Sequence, residues 1–104
     1  MDVDVSAFMP LITESAQAKN HAFEALKFAK IKDEEGYERK LKEARSFLIG
    51  AHKRQTDLLS LNAREEETPI TIYLIHAMDH VSNAQMVFDL VQELADIHLN
   101  KTGI

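Results

Sequence analysis

The 104-residue chain contains no cysteine, which excludes disulfides, thiolate nucleophiles and sulfur-ligated zinc and leaves histidine to carry any nucleophilic chemistry. No apolar run approaches the roughly 18 residues of a membrane span. The opening stretch MDVDVSAFMPLI lacks the basic region and long apolar core of a signal peptide. The expectation is a cytoplasmic protein without direct membrane insertion. Positive charge is in deficit, with 12 Lys and Arg against 17 Asp and Glu and a formal net charge of −5, so a general phosphate-backbone binder is disfavoured and no nucleic-acid partner is expected. Strand alternation, tight-hairpin signals, internal repeats and low-complexity tracts are missing as well.

What is present is ordinary globular material: 45% apolar and 28% charged residues, a balance that folds rather than staying disordered. The length suits one domain, residues 1–104, with room for three or four helices. Phe8, Leu11, Ile12, Ser15, Ala18, Ala22, Leu26 and Ala29 recur at steps of three and four, which predicts a first helix. Ser6 is its candidate N-cap, and Pro10 is tolerable in the first turn. Five alanines make this helix thin, permitting close approach of a neighbour. Asp33 is a candidate cap for a second helix, with Glu34 and Glu35 suited to the positive end of its dipole. That helix carries Tyr37, Leu41, Ala44, Leu48, Ala51, Gln55 and Leu58 on one stripe to about Asn62, with Gly50 as a weak point. Thr68 and Pro69 read as cap and first position of a third helix reaching roughly Asn100. The run Glu65-Glu66-Glu67 before it reads as a solvated loop.

The third helix has apolar or small residues on more than one side. Leu74, Ala77, Val81, Ala84, Val87, Phe88 and Val91 cover faces that Ile72, Ile75, Asp79, Ser82 and Met86 do not. A helix apolar around most of its girth calls for burial on two sides, so an oligomer along it is expected. The fold class expected is all-α, an antiparallel three-helix bundle.

The same helix places His76, Asp79 and His80 within reach of one another, the histidines one turn apart. Three readings fit the spacing. They can be satisfied core or interface polar groups. They can form a metal site, since two imidazoles one turn apart can share an ion, although Ala77 stands where a zinc protease needs its glutamate. Or a histidine, largely neutral near pH 7, can offer its lone pair to phosphorus and pass the group onward.

HAMDH, residues 76 to 80, within PITIYLIHAMDHVSNAQMVFDLVQEL resembles the third-helix signature of the lactose/cellobiose-type enzyme IIA proteins of the bacterial sugar phosphotransferase system. AHKRQTDLL, residues 51 to 59, is similar to the second-helix signature, and EALKFAK to the first helix, in the same order and at the same separations. The resemblance implies a three-helix protomer that assembles as a homotrimer through its third helices. It implies that His76 is the phosphorylated residue, taking phosphate from HPr and handing it to a cysteine of enzyme IIB. Uptake of lactose, cellobiose, chitobiose or a similar disaccharide would then run through the membrane permease, enzyme IIC, which this chain meets only indirectly. Asp79 would lie near the threefold axis, where the family binds a divalent cation, commonly magnesium. His80 could orient the ring or stabilise the phosphate, or serve as an interface histidine, and His52, Gln55 and Thr56 could line the pocket facing His76 or form a partly exposed polar face of the second helix. His21 and His98 read as surface or packing residues. Met78 stands where the family usually has glutamine, which removes an amide from the vicinity of the site, and Ala16-Gln17 replaces a usual Gly-Asp pair. Two rivals are a histidine phosphotransfer module of two-component signalling, which needs four helices in one protomer, and a helical metal-binding adaptor without phosphoryl chemistry.

Overall fold

The structure is a computed structural model that describes residues 8–64 and 72–100. Three helices, α1 Met9–Lys30, α2 Glu34–Arg64 and α3 Ile72–His98, make up the described chain, and no strand occurs among the described residues. The expected all-α class and helix order are therefore observed, and the described residues do not form the four-helix protomer that a two-component phosphotransfer module requires. No helix among the described residues is long and apolar enough to cross a membrane.

The link between α1 and α2 is tight because the sequence closes both helix ends within three residues. Lys32, at φ 61°, takes the left-handed conformation and donates its amide to the Ala29 carbonyl at 3.0 Å, while the Asp33 amide reaches back to Phe28 at 2.9 Å. This pair of bonds satisfies the Phe28 and Ala29 carbonyls near the end of α1. Asp33 then caps α2 as expected, its Oδ1 accepting the Gly36 amide at 3.0 Å. The start of α1 differs from expectation: Phe8 is the flanking residue and supplies no side-chain cap, with Pro10 inside the first turn. Ser6, Thr68, Pro69 and the Glu65–Glu67 run lie outside the described residues. α2 runs two residues beyond its expected end near Asn62. α3 ends at His98, where the Lys32 side chain donates to the His98 carbonyl and Asn100, at φ 58°, turns the chain out of the helix.

α1 is the middle of the bundle, packed along its length against both α2 and α3, which scarcely touch each other. Its buried positions are Leu11, Ser15, Ala18, Ala22, Ala25 and Ala29, so beyond the first turn the contact surface is nearly bare backbone. The bulk comes from the partners. Tyr37, Leu41 and Leu48 of α2 and Phe88 and Val91 of α3 close over the alanines in one cluster, while Leu11, Ala51, Ala77 and Val81 form a second, smaller cluster nearer the start of α3. Large residues facing small ones give native packing density without voids.

The buried face of α3 is Leu74, Ala77, Val81, Ala84, Phe88, Val91 and Ala95. At about 100° per residue, the stripe Ile72, Ile75, Asp79, Met86, Leu90 and Ile97 lies on the opposite side of the helix, and there Ile72 is 76% exposed and Met86 and Ile97 are each 61% exposed.

Candidate functional site

Ala77 and Val81 anchor the first half of α3 against Leu11 of α1 and Ala51 of α2. Because these anchors occupy one side, helical geometry turns His76, Asp79 and His80 outward. His76 and Asp79 are exposed and His80 is half-buried. The two histidines meet: Nε2 of His80 lies 3.2 Å from Nε2 of His76, and the rings stand edge to face at 86° with centroids 4.7 Å apart. In the neutral pair one Nε2 carries the proton and donates it, and the other presents a lone pair. The structure thus brings the two expected catalytic histidines into direct contact.

Asp79 does not join them. It projects along the exposed apolar stripe between Ile75 and Met86. Among the described residues no set of three His, Cys, Asp or Glu side chains could hold a metal ion, so a single protomer offers this carboxylate alone.

His52, on α2, hydrogen-bonds Gln85 Oε1 at 2.9 Å, and Gln85 Nε2 donates to Asp89 at 3.0 Å. Since the amide nitrogen of Gln85 is committed to the carboxylate, its oxygen faces the imidazole and His52 is the donor through Nε2. Gln85 lies about 180° around α3 from His76, counted at 3.6 residues per turn. Within one protomer, then, His52 borders the flank of α3 away from His76. Gln55 is half-buried with no hydrogen-bond partner for its Oε1 among the described residues, and Thr56 is exposed. The His52–Gln85–Asp89 chain was not legible in sequence. Gln85 and Asp89 are recognisable as an i, i+4 pair, but the side of α3 that meets α2 is set by how both helices settle on α1.

The remaining polar clusters belong to the bundle. His21 stacks flat on Phe47, with centroids 5.3 Å apart, and approaches Glu43 at 3.0 Å, in keeping with a packing role. Lys40 bridges Glu24 at 2.8 Å and Glu43 at 3.5 Å. Its hydrogen bond and charge hold the Glu24 carboxyl below the usual carboxylate range, and the reciprocal contact raises Lys40. A shallow depression of about 410 Å³ lined by Glu24, Lys27, Phe28, Ile31 and Lys40 lies at the α1–α2 turn, the opposite end of the bundle from His76.

Comparison with known proteins decides the family. The model described as "PTS system, Lactose/Cellobiose specific IIA subunit" matches residues 6–99. The chain belongs to the lactose/cellobiose-specific enzyme IIA family. The enzyme IIA fold is shared throughout. The cellobiose-specific enzyme IIA of Bacillus anthracis superposes with a TM-score of 0.86 at 34% identity, covering 99% of this chain and 95% of that one. The chitobiose enzyme IIA of Escherichia coli, solved in complex with HPr, gives 0.81 at 31% identity over 93% and 95% of the two chains. In sequence, the lichenan-specific enzyme IIA component of Bacillus subtilis is 34% identical over 88 residues, which are 85% of this chain and 80% of the relative.

Proposed function

We propose that this enzyme IIA carries a phosphoryl group on His76, taking it from HPr and passing it to a cysteine of enzyme IIB in a disaccharide uptake system. The observation that carries the reading is the His76–His80 contact. It gives the exposed imidazole a fixed neighbour through Nε2, the same nitrogen that would attack phosphorus. With the proton of the pair on His80, His76 Nε2 holds its lone pair and its own proton sits on Nδ1. Attack forms the P–N bond as the bond from phosphorus to the HPr ring breaks. The His80 Nε2–H, released from its partner, is then placed to donate to a phosphoryl oxygen, stabilising charge where it collects. Transfer to the enzyme IIB thiolate reverses the geometry. No cavity is needed, because carrier chemistry rests on positioning and an accessible ring. The sugar does not touch this chain; lactose, cellobiose, chitobiose or a similar disaccharide would be selected by the membrane permease, enzyme IIC.

The active form proposed is a homotrimer packed through the exposed stripe of α3. Six large or acidic positions, Ile72, Ile75, Asp79, Met86, Leu90 and Ile97, share that face, and an apolar strip of this length is not left in water. In a parallel threefold packing, the flank bearing His76 and His80 in one copy faces the flank bearing Gln85 and Asp89 in the next. His52, Gln55 and Thr56 would then border His76 across the protomer boundary. Three Asp79 carboxylates would converge on the axis. They are hard oxygen donors suited to magnesium, which would neutralise their repulsion and take no part in the transfer.

Incubation with phosphoenolpyruvate, enzyme I and HPr tests the transfer. The product should be acid-labile, as a phosphoramidate is. His76→Ala should accept no phosphate and keep its helical content, since it truncates an exposed ring and opens no cavity. His80→Gln should accept it more slowly. Normal labelling of His76→Ala, or an acid-stable label, would contradict the assignment.

A further inference from the structure

The facing nitrogens of His76 and His80 can share an ion as readily as a proton. Zinc-class ions bind imidazole at about 2.0–2.1 Å. Two nitrogens held 3.2 Å apart would subtend roughly 103° at an ion 2.05 Å from each, close to the tetrahedral angle that such ions adopt. The pair is preset for this. Both residues sit one turn apart on a long helix anchored from behind by Ala77 and Val81, and His76 is exposed on the single protomer, which leaves the other coordination positions open. With no three-ligand set of His, Cys, Asp or Glu among the described residues, a single protomer gives the ion only two ligands, fewer than a structural centre uses. Imidazole donors favour copper, zinc and nickel over magnesium, so this ion differs from a hard cation held by carboxylates.

We propose that the His76–His80 pair is a two-nitrogen chelate for a zinc-class transition-metal ion, and that this ion and the phosphoryl group exclude each other at His76. A phosphoramidate uses the Nε2 lone pair in its P–N bond, and the metal–nitrogen bond uses the same pair, so only one can form. Zinc would therefore hold the carrier in its unphosphorylated state. The second half of this proposal rests on the reading of His76 as the phosphoryl acceptor.

The test is calorimetric titration of the full chain with zinc chloride, in excess magnesium, on wild type, His76→Gln, His80→Gln and His98→Gln. One zinc per protomer should bind the wild type and His98→Gln equally. Each pair variant should bind about tenfold more weakly or worse, since losing a direct ligand costs at least what losing a supporting partner does. Phosphate acceptance from pre-formed phospho-HPr should then fall with zinc, half-inhibited at the measured dissociation constant, and fully phosphorylated protein should not bind zinc. Zinc binding that survives in both pair variants overturns the chelate, as does absence of binding to the wild type. Undiminished phosphate acceptance at saturating zinc overturns the exclusion. Should zinc bind as described while the metal-free wild type takes no phosphate, the chelate stands and the proposed carrier function falls.

Discussion

Gly36 lies under the ring of Phe28, where an added Cβ would fall 2.5 Å from Cδ1 and 2.8 Å from Cγ. The guanidinium of Arg39 lies over the ring, its carbon 5.5 Å from the centroid. Gly36→Ala should therefore destabilise by about 1–3 kcal/mol through overpacking, despite the better helix propensity of alanine. Gly50 is the opposite case. A Cβ there meets only the end of the Glu14 side chain, which pairs with Arg54 across α1 and α2. Glu14 can swing away at the cost of a surface ion pair, about 0–1 kcal/mol, while the helix gains about 0.5–1 kcal/mol. Gly50→Ala should thus be no less stable than wild type, and urea midpoints of the two variants check the contrast. At this scale Asp33 was legible because an N-cap is a local device, written in the residues beside it. Gly36 and the partner of His52 were not, because each depends on a side chain arriving from another helix.

The alanine surface of α1 sets how closely α2 and α3 approach. Ala22 is fully buried between them, so Ala22→Leu should cost about 1–3 kcal/mol and push the partners apart, seen as a lower thermal midpoint with helical content preserved. The α1–α2 seam also carries a pH-dependent contribution. The Glu24 carboxyl is depressed by Lys40, and a group whose folded-state value is depressed stabilises above its unfolded value and loses that stability as pH falls through the folded one. Glu24→Gln should accordingly show a shallower loss of stability between neutral pH and the acid side of the carboxylate range, measured by urea unfolding at a series of pH values. The difference should be small and shrink with added salt, because both groups face solvent. Helix number and order were legible from period and punctuation. The face of α3 that meets α1 was not, since that helix is apolar on opposite sides. Ala84 and Ala95, which fit the thin surface of α1, reveal their role only once α1 is in place.

Over the whole molecule, the apolar side of α3 left outside the bundle and the charge of Asp79 in its midst bear on assembly together. Three like charges brought to one axis cost several kcal/mol unless a cation or protons intervene. Asp79→Leu removes the charge at similar volume, so the proposed trimer should be at least as stable and indifferent to magnesium, whereas the wild type should weaken with chelator. Sedimentation of both proteins, with magnesium and with chelator, measures this. A variant that falls to monomers beside a chelator-indifferent wild type would exclude the axial cation. The His76–His80 contact of the candidate site was legible in HAMDH because two histidines one helical turn apart meet whatever the rest of the fold does. Its surroundings across the proposed protomer boundary would belong to the assembly and leave no local trace. The most direct test of the central claim is phosphorus–nitrogen coupling in the phosphorylated protein carrying nitrogen-15 histidine. The account predicts a single coupled ring nitrogen, Nε2 of His76, absent in His76→Ala; coupling at His80, His52 or another ring, with His76 uncoupled, would contradict it.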